Sequence, residues 1–328
     1  LASYPSYQTL QILYGYWGFT SVFLFWGAMI KATRLWGGDN NQGKAFGFLD
    51  GGRGIVAASM GSIGVFVFTI VLTSDIESAS VLERQEAFRY VILLSSFMVA
   101  FIGLLVLIFL RNMEDKNTNF ELPLNTLTNI KGVLKNESIW LLMLIIMCAY
   151  VGYKVTDIYS LYASEVMLYD QIEAAEVGAL QLYLRPIVCI AIGLLADRTK
   201  NMFWIIFGFV TMLIGALIFS FGIIKPDMNF IFFLSLVILA VGTYSIRALY
   251  FAVLKEANVA FALTGTAVGI ISVVGYSPDI FAGPIMGYLL DENPGIIGHQ
   301  YVYFMLVIFS IIGLIASIRF ARLTKPSG

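Results

Sequence analysis

Residues 138–160 read SIWLLMLIIMCAYVGYKVTDIYS. From Ser138 to Tyr153 there is no charge, and then Lys154 and Asp157 follow within one turn of each other. A helix needs about 20 mostly apolar residues to cross a hydrocarbon core, and this run supplies them. The whole chain has the same character. Of its 328 residues, 59% are hydrophobic and 12% charged, whereas a soluble domain is roughly half apolar and a quarter charged. No soluble core hides that much apolar surface, so the bilayer is the solvent and the fold class is all-α integral membrane. Long uninterrupted runs, rather than alternating ten-residue segments, exclude a β-barrel.

Nine such segments are expected, at about 11–33, 45–73, 90–110, 138–160, 176–196, 202–224, 229–253, 261–289 and 301–321. Sorting the 20 basic residues by loop orients them. Thirteen, among them Lys31, Arg34, Lys44, Arg111, Lys116, Arg198, Lys200, Lys255 and Lys325, fall on one side; Arg84, Arg89 and Lys225 fall on the other. The positive-inside rule puts the first group in the cytoplasm, with residue 1 outside and the carboxyl end inside the cell. Acidic residues such as Asp75, Glu77, Glu165 and Asp170 gather on the outer side. The expected location is the plasma (inner) membrane. Four basic residues have no loop to go to: Arg53, Lys154, Arg185 and Arg247, each inside a different span.

The longest polar connector, 111–137, divides three spans from six. Residues 1–110 then read as the remainder of an amino-terminal half, and 138–328 as a six-helix carboxy-terminal half. That pattern is expected of a six-plus-six protein without its first three helices. An internal echo supports two halves. GKAFG at 43–47 and GTAVG at 265–269 each enter a span with glycines four apart, each after a span ending in charge.

GLLADRTK at 193–200 resembles the loop signature of the major facilitator superfamily: a glycine, three residues, an aspartate, then basic residues. GPIMGYLLD at 283–291 resembles the glycine–proline end of helix 11 in that superfamily. The resemblance covers essentially the whole chain as helices 4–12; the amino-terminal copy of the loop signature is absent. It implies a carrier working by alternating access, with Gly193, Asp197 and Arg198 as a conformational latch. Physically, Gly193 lets two helices approach closely. Asp197 is expected to accept backbone N–H groups at the start of the helix that follows it.

A charge near the bilayer centre costs roughly 2.5–3.5 kcal/mol even on gentle insertion scales, so such residues face a cavity or a partner. Lys154 has Asp157, and Arg53 has Asp50, at i,i+3, where a structural pair is as reasonable as a functional one. Arg185 and Arg247 have no acid within a turn. Their planar forks suit carboxylate or phosphate. Four cations against Asp50, Asp157 and Asp279 leave an excess that points to an anion, such as an organic acid or a phosphorylated or sulfonated sugar. Tyr150 and Tyr153 are expected as neutral contacts, and Tyr159 and Tyr162 as an outer aromatic belt. Lys154 to Tyr162 resembles helix 7 of the organophosphate–phosphate exchanger branch, with a different cation-to-aspartate spacing.

The expected function is therefore secondary transport of a small polar, anionic solute by a monomer in the lipid bilayer. Asp50 and Asp157 are the candidates for proton coupling; anion exchange would need neither. The alternatives are a proton-coupled carrier of neutral sugars or nucleosides, and a membrane sensor or scaffold that does not transport. Enzyme chemistry has little support. GGDNNQGKA at 37–45 has P-loop spacing but Ala45 where a Mg²⁺-binding hydroxyl belongs. Cys148 and Cys189 lie in apolar runs and His299 is the single histidine, so no disulfide framework, metal site or cofactor is expected. Nor is a nucleic-acid partner.

Overall fold

A computed structural model describes residues 1–71, 80–109 and 126–324. Among the described residues there are helices and no strand. In chain order they are α1 (Tyr7–Phe19), a π-helical stretch (Thr20–Trp26), α2 (Gly27–Gly37), α3 (Gln42–Val71), α4 (Val81–Phe109), α5 (Thr126–Leu134), α6 (Glu137–Val155), α7 (Tyr159–Glu165), α8 (Gln171–Asp197), α9 (Asn201–Ser220), α10 (Asn229–Leu249), α11 (Thr264–Gly275), α12 (Pro278–Glu292) and α13 (Ile296–Leu323). Of the residues weighed in the sequence, Asp75, Glu77, Arg111, Lys116 and Lys325 lie outside the described set, as does the connector up to residue 125.

Among the described residues, eight helical segments are long and apolar enough to cross a membrane. They match eight of the nine expected spans. The remaining one, 11–33, falls on the helical run from α1 to α2, which the π-helical stretch interrupts. At its first residue the Thr20 hydroxyl donates to the carbonyls of Tyr16 (3.0 Å) and Trp17 (3.2 Å). The expected span 138–160 is α6 and α7 joined through a 3₁₀ turn at Thr156–Ile158, and Asp157 sits in that turn. The span 261–289 is likewise two helices. Pro278, inside that expected span, opens α12, where its missing N–H is not needed. A capping box sets the start of α8: the Asp170 carboxylate accepts from the Ile172 and Glu173 amides, both at 2.8 Å.

The chain forms two compact units, Leu1–Ser21 with Val56–Leu122, and Val22–Ile55 with Pro123–Gly328. In the first, Phe68 and Val71 pack against buried Ala87. The most apolar window of α4 holds no buried residue. The second unit holds the large core. There Tyr162 packs edge-on to Phe219 at 4.9 Å and stacks with Phe232 at 5.6 Å. Tyr159 and Tyr162 are therefore not an interfacial belt; both are buried. Their rings fill the space between helices, which satisfies the apolar body of a tyrosine as well as an interface does.

Candidate functional site

All the residues that follow belong to the second unit. The first turns of α3 run against the last turns of α8 with almost no side chain between them. A Cβ on Gly193 would stand 2.5 Å from the Gly43 carbonyl oxygen, and one on Gly47 would stand 2.6 Å from the carbonyl of Cys189. Only glycine permits backbone contact this close. The consequence for chemistry is that Asp50, two turns farther along α3, is pressed onto α8.

Asp50 is buried and is met by three arginines from three helices. Arg185 of α8 grips it bidentately, Nη2 to Oδ1 at 2.8 Å and Nε to Oδ2 at 3.3 Å. Arg247 of α10 brings Nε to 3.6 Å from Oδ2. Arg53, one turn on in α3, places Nη1 3.3 Å from Oδ1. The Cys189 thiol donates to Oδ2 at 3.4 Å. So the two arginines that had no acid nearby in sequence find one across the helix contact, and the expected Arg53–Asp50 pair is one edge of a larger cluster. The exposures differ in a telling way: the side chains of Arg185 and Arg247 are 7% and 3% exposed, that of Arg53 is 40% exposed.

Aromatic rings floor the cluster. The Arg247 guanidinium lies 3.8 Å from the centre of Tyr153 and 5.6 Å from that of Tyr150. Arg53 lies 4.8 Å from the centre of Trp26. These distances are within the range of cation–π attraction. Arg247 Nε and Nη1, together with the indole N–H of Trp26, are buried without a hydrogen-bond partner among the described residues. Such donors are uncommon in a folded interior, where buried polar groups are paired.

Lys154 sits in a second cluster, with Asp157 at 3.1 Å and Asp279 at 3.7 Å. Tyr150 joins the two clusters, its ring beneath Arg247 and its hydroxyl donating to Asp279 Oδ2 at 3.1 Å. The positive excess counted along the chain is thus unevenly placed. Three guanidiniums share one carboxylate at Asp50, while one ammonium has two carboxylates at Lys154.

The third arrangement corrects an expectation. Asp197 does not cap the helix that follows it. Its carboxylate accepts from the backbone amides of Gly43 (2.7 Å) and Lys44 (2.8 Å), at the opening turn of α3. The chemistry is the one expected, an anion on the positive end of a helix, but its partners are 154 and 153 residues away rather than adjacent. The glycine contact makes this possible by bringing the α3 terminus under Asp197. Arg198 is exposed.

Near this clamp, Arg34 donates to Thr264 Oγ1 (2.7 Å) and to the Val259 carbonyl (2.8 Å), and Lys255 pairs with Asp39 at 2.5 Å. A cleft of about 630 Å³ opens here, bordered by Asp39, Asp197, Lys200, Asn201, Lys255 and Glu256. The Lys255 ammonium holds the Asp39 carboxyl below its usual range, whereas burial raises that of Glu256, against the opposing pull of Asn201 and Lys200.

Trp26, Tyr276 and Cys189 did not stand out in the sequence. Tyr276 lies edge-on to both Tyr150 (4.9 Å) and Trp26 (5.7 Å). Aromatic residues are common in any membrane span, so only their placement around the cations distinguishes them.

The fold is that of a helical membrane protein with a charged interior, and the chain belongs to the Major Facilitator Superfamily, whose sequence model matches residues 1–278. Membership places it among membrane transporters. Among particular proteins it is similar to Inner membrane protein YihN of Escherichia coli (strain K12), 24% identical over 334 residues, spanning 98% of this chain and 76% of that one. It is also similar to Inner membrane protein YqcE of the same strain, 24% identical over 314 residues, spanning 93% of this chain and 71% of that one. A third relative, the MG294 homolog of Mycoplasma pneumoniae, is 23% identical over 331 residues, with 93% and 68% spanned.

Proposed function

We propose that the protein is a secondary transporter of a small polar anion, that Arg185 and Arg247 hold the anion, and that Arg53 completes the binding cluster as the partner of Asp50. The observation that carries this reading is the imbalance at Asp50: three guanidiniums, one carboxylate, and an Arg247 whose Nε and Nη1 are buried with no hydrogen bond among the described residues. A cationic group held in a membrane protein at a cost of about 2.5–3.5 kcal/mol is retained for a function or a partner. A carboxylate, phosphoryl or sulfonyl group offers acceptors for both of these nitrogens and cancels excess charge. Tyr150 and Tyr153 would flank the solute.

Lys154 supports a coupling role. It already has two acids, Asp157 and Asp279, whose side chains are half exposed. Of the two carboxylates expected to exchange protons, Asp157 is the better placed, because a proton on Asp50 would leave three guanidiniums without an anion. A neutral-solute carrier has in its favour only the balanced Lys154 cluster, and a scaffold with cations on unrelated helix faces is disfavoured by their convergence. The Asp197 clamp onto α3 supports the latch role of Gly193 and Asp197. The names of the E. coli relatives support an inner-membrane location, and the charge count supports a cytoplasmic carboxyl end. We read the chain as a monomer divided into two halves at residues 111–137.

The test is uptake into proteoliposomes from a panel of carboxylate, phosphorylated and sulfonated solutes, with neutral sugars alongside. Uptake of at least one anion is expected, and its loss in both Arg185→Gln and Arg247→Gln. Anion uptake that survives both substitutions would remove these residues from the site.

A further inference from the structure

Resting on that reading, we propose that Asp50 is an internal stand-in for the transported anion: the solute displaces it from Arg185 and Arg247, and the displacement unfastens α3 from α8. Asp50 presents to Arg185 the same bidentate oxygens that a carboxylate or phosphoryl solute would present. It reaches Arg247 less well, through one contact at 3.6 Å, and leaves Nη1 of that side chain unserved. A larger anion with three oxygens would serve all these donors together. Asp50 is a partial fit to a site built for something else.

Arg53 explains how the displaced carboxylate is accommodated. It lies on the same helix as Asp50, one turn away and 3.3 Å from it, with its side chain 40% exposed. When Asp50 leaves Arg185 and Arg247, Arg53 leaves with it, so Asp50 keeps a partner. The two arginines of α8 and α10 have no such companion. Parting α3 from α8 with an empty site would strand them as unpaired buried cations, which is strongly unfavourable. With an anion bound, the penalty is gone.

The geometry places this ion pair at one end of a fastened strip. At its other end Asp197 holds the Gly43 and Lys44 amides at 2.7 and 2.8 Å. Between them lie the glycine contacts of Gly43, Gly47 and Gly193, backbone on backbone. Apart from the Cys189 thiol, which also donates to Asp50, the Arg185–Asp50 pair is the polar tie at the inner end. An anion that takes the arginines from Asp50 releases that tie, so movement of α3 follows from occupancy rather than accompanying it by chance.

The test is anion binding to the full chain in detergent, read as the concentration of inorganic phosphate, sulfate or acetate that half-raises the thermal midpoint. In wild type the ion competes with Asp50. In Asp50→Asn that competitor is neutral, and the half-effective concentration is expected to fall by about tenfold or more, corresponding to a site occupied by Asp50 some nine-tenths of the time. Should Asp50→Asn fail to fold, the charge-balanced pair Asp50→Asn with Arg53→Gln gives the same comparison. Equal or weaker binding in these variants, with binding lost in Arg247→Gln, would overturn the competition while leaving the anion site standing. No anion binding in wild type or any variant would overturn both. Binding by Asp50→Asn alone is the strongest result in favour.

Discussion

A single methyl group on Gly193 would have to enter the space of the Gly43 carbonyl, 2.5 Å away, and of the Gly47 Cα, 2.9 Å away. Neither is the end of a flexible side chain, so the helices themselves must part. Gly193→Ala is expected to lower stability by about 1–3 kcal/mol, the usual cost of overpacking, and to weaken both ties of α3 to α8. Thermal unfolding in detergent measures the first effect. At this scale the sequence was legible where partners are local. Lys154 with Asp157, and Arg53 with Asp50, are pairs that helical spacing alone delivers, and both are present at 3.1 and 3.3 Å. Asp279 as a second partner of Lys154 was not legible, because it comes from another helix.

Helix ends and connections carry the next level. The amide end of α3 is clamped by Asp197, and the turn after α10 holds Glu256, half-buried beside the cleft and hydrogen-bonded by Asn201 at 3.3 Å. Burial raises the Glu256 carboxyl above its unfolded value. The folded chain therefore binds this proton more tightly than the unfolded one. The stabilisation is fully present below the ordinary carboxylate range and is lost as pH rises through the raised value. Glu256→Gln, which stays neutral, is expected to remove this part of the pH dependence, so that its thermal midpoint gains on wild type as pH rises from about 4 to 7. Parallel pH profiles for the two proteins would show that Glu256 does not contribute. Among elements, the long apolar spans were readable from composition and length. The breaks at Thr20–Trp26, Thr156–Ile158 and Tyr276–Ser277 were not, since no long polar run marks them and each leaves the apolar count nearly unchanged.

For the whole molecule, the positive-inside count makes a prediction that labelling can check. A cysteine at Lys200 is expected to react with a membrane-impermeant maleimide only in permeabilised cells, and one at Lys225 already in intact cells. Cys148 and Cys189 are buried and give a quiet background. The reverse pattern would invert the orientation, and with it the side on which Asp197 fastens α3.

Composition and hydropathy determined by themselves that this chain lives in a bilayer as a set of helices, and that four basic residues stand inside those helices. They could do so because the cost of placing a residue in hydrocarbon is paid residue by residue and leaves its mark along the chain. Only the tertiary structure decided that three of the four meet at Asp50, and that Asp197 caps α3 rather than the helix next to it. Contacts between helices distant in sequence depend on which faces pack, and here backbone approach at Gly43, Gly47 and Gly193 chose them. Where each of those charges finds its partner is a property of that packing, to which the order of residues along the chain gives no direct index.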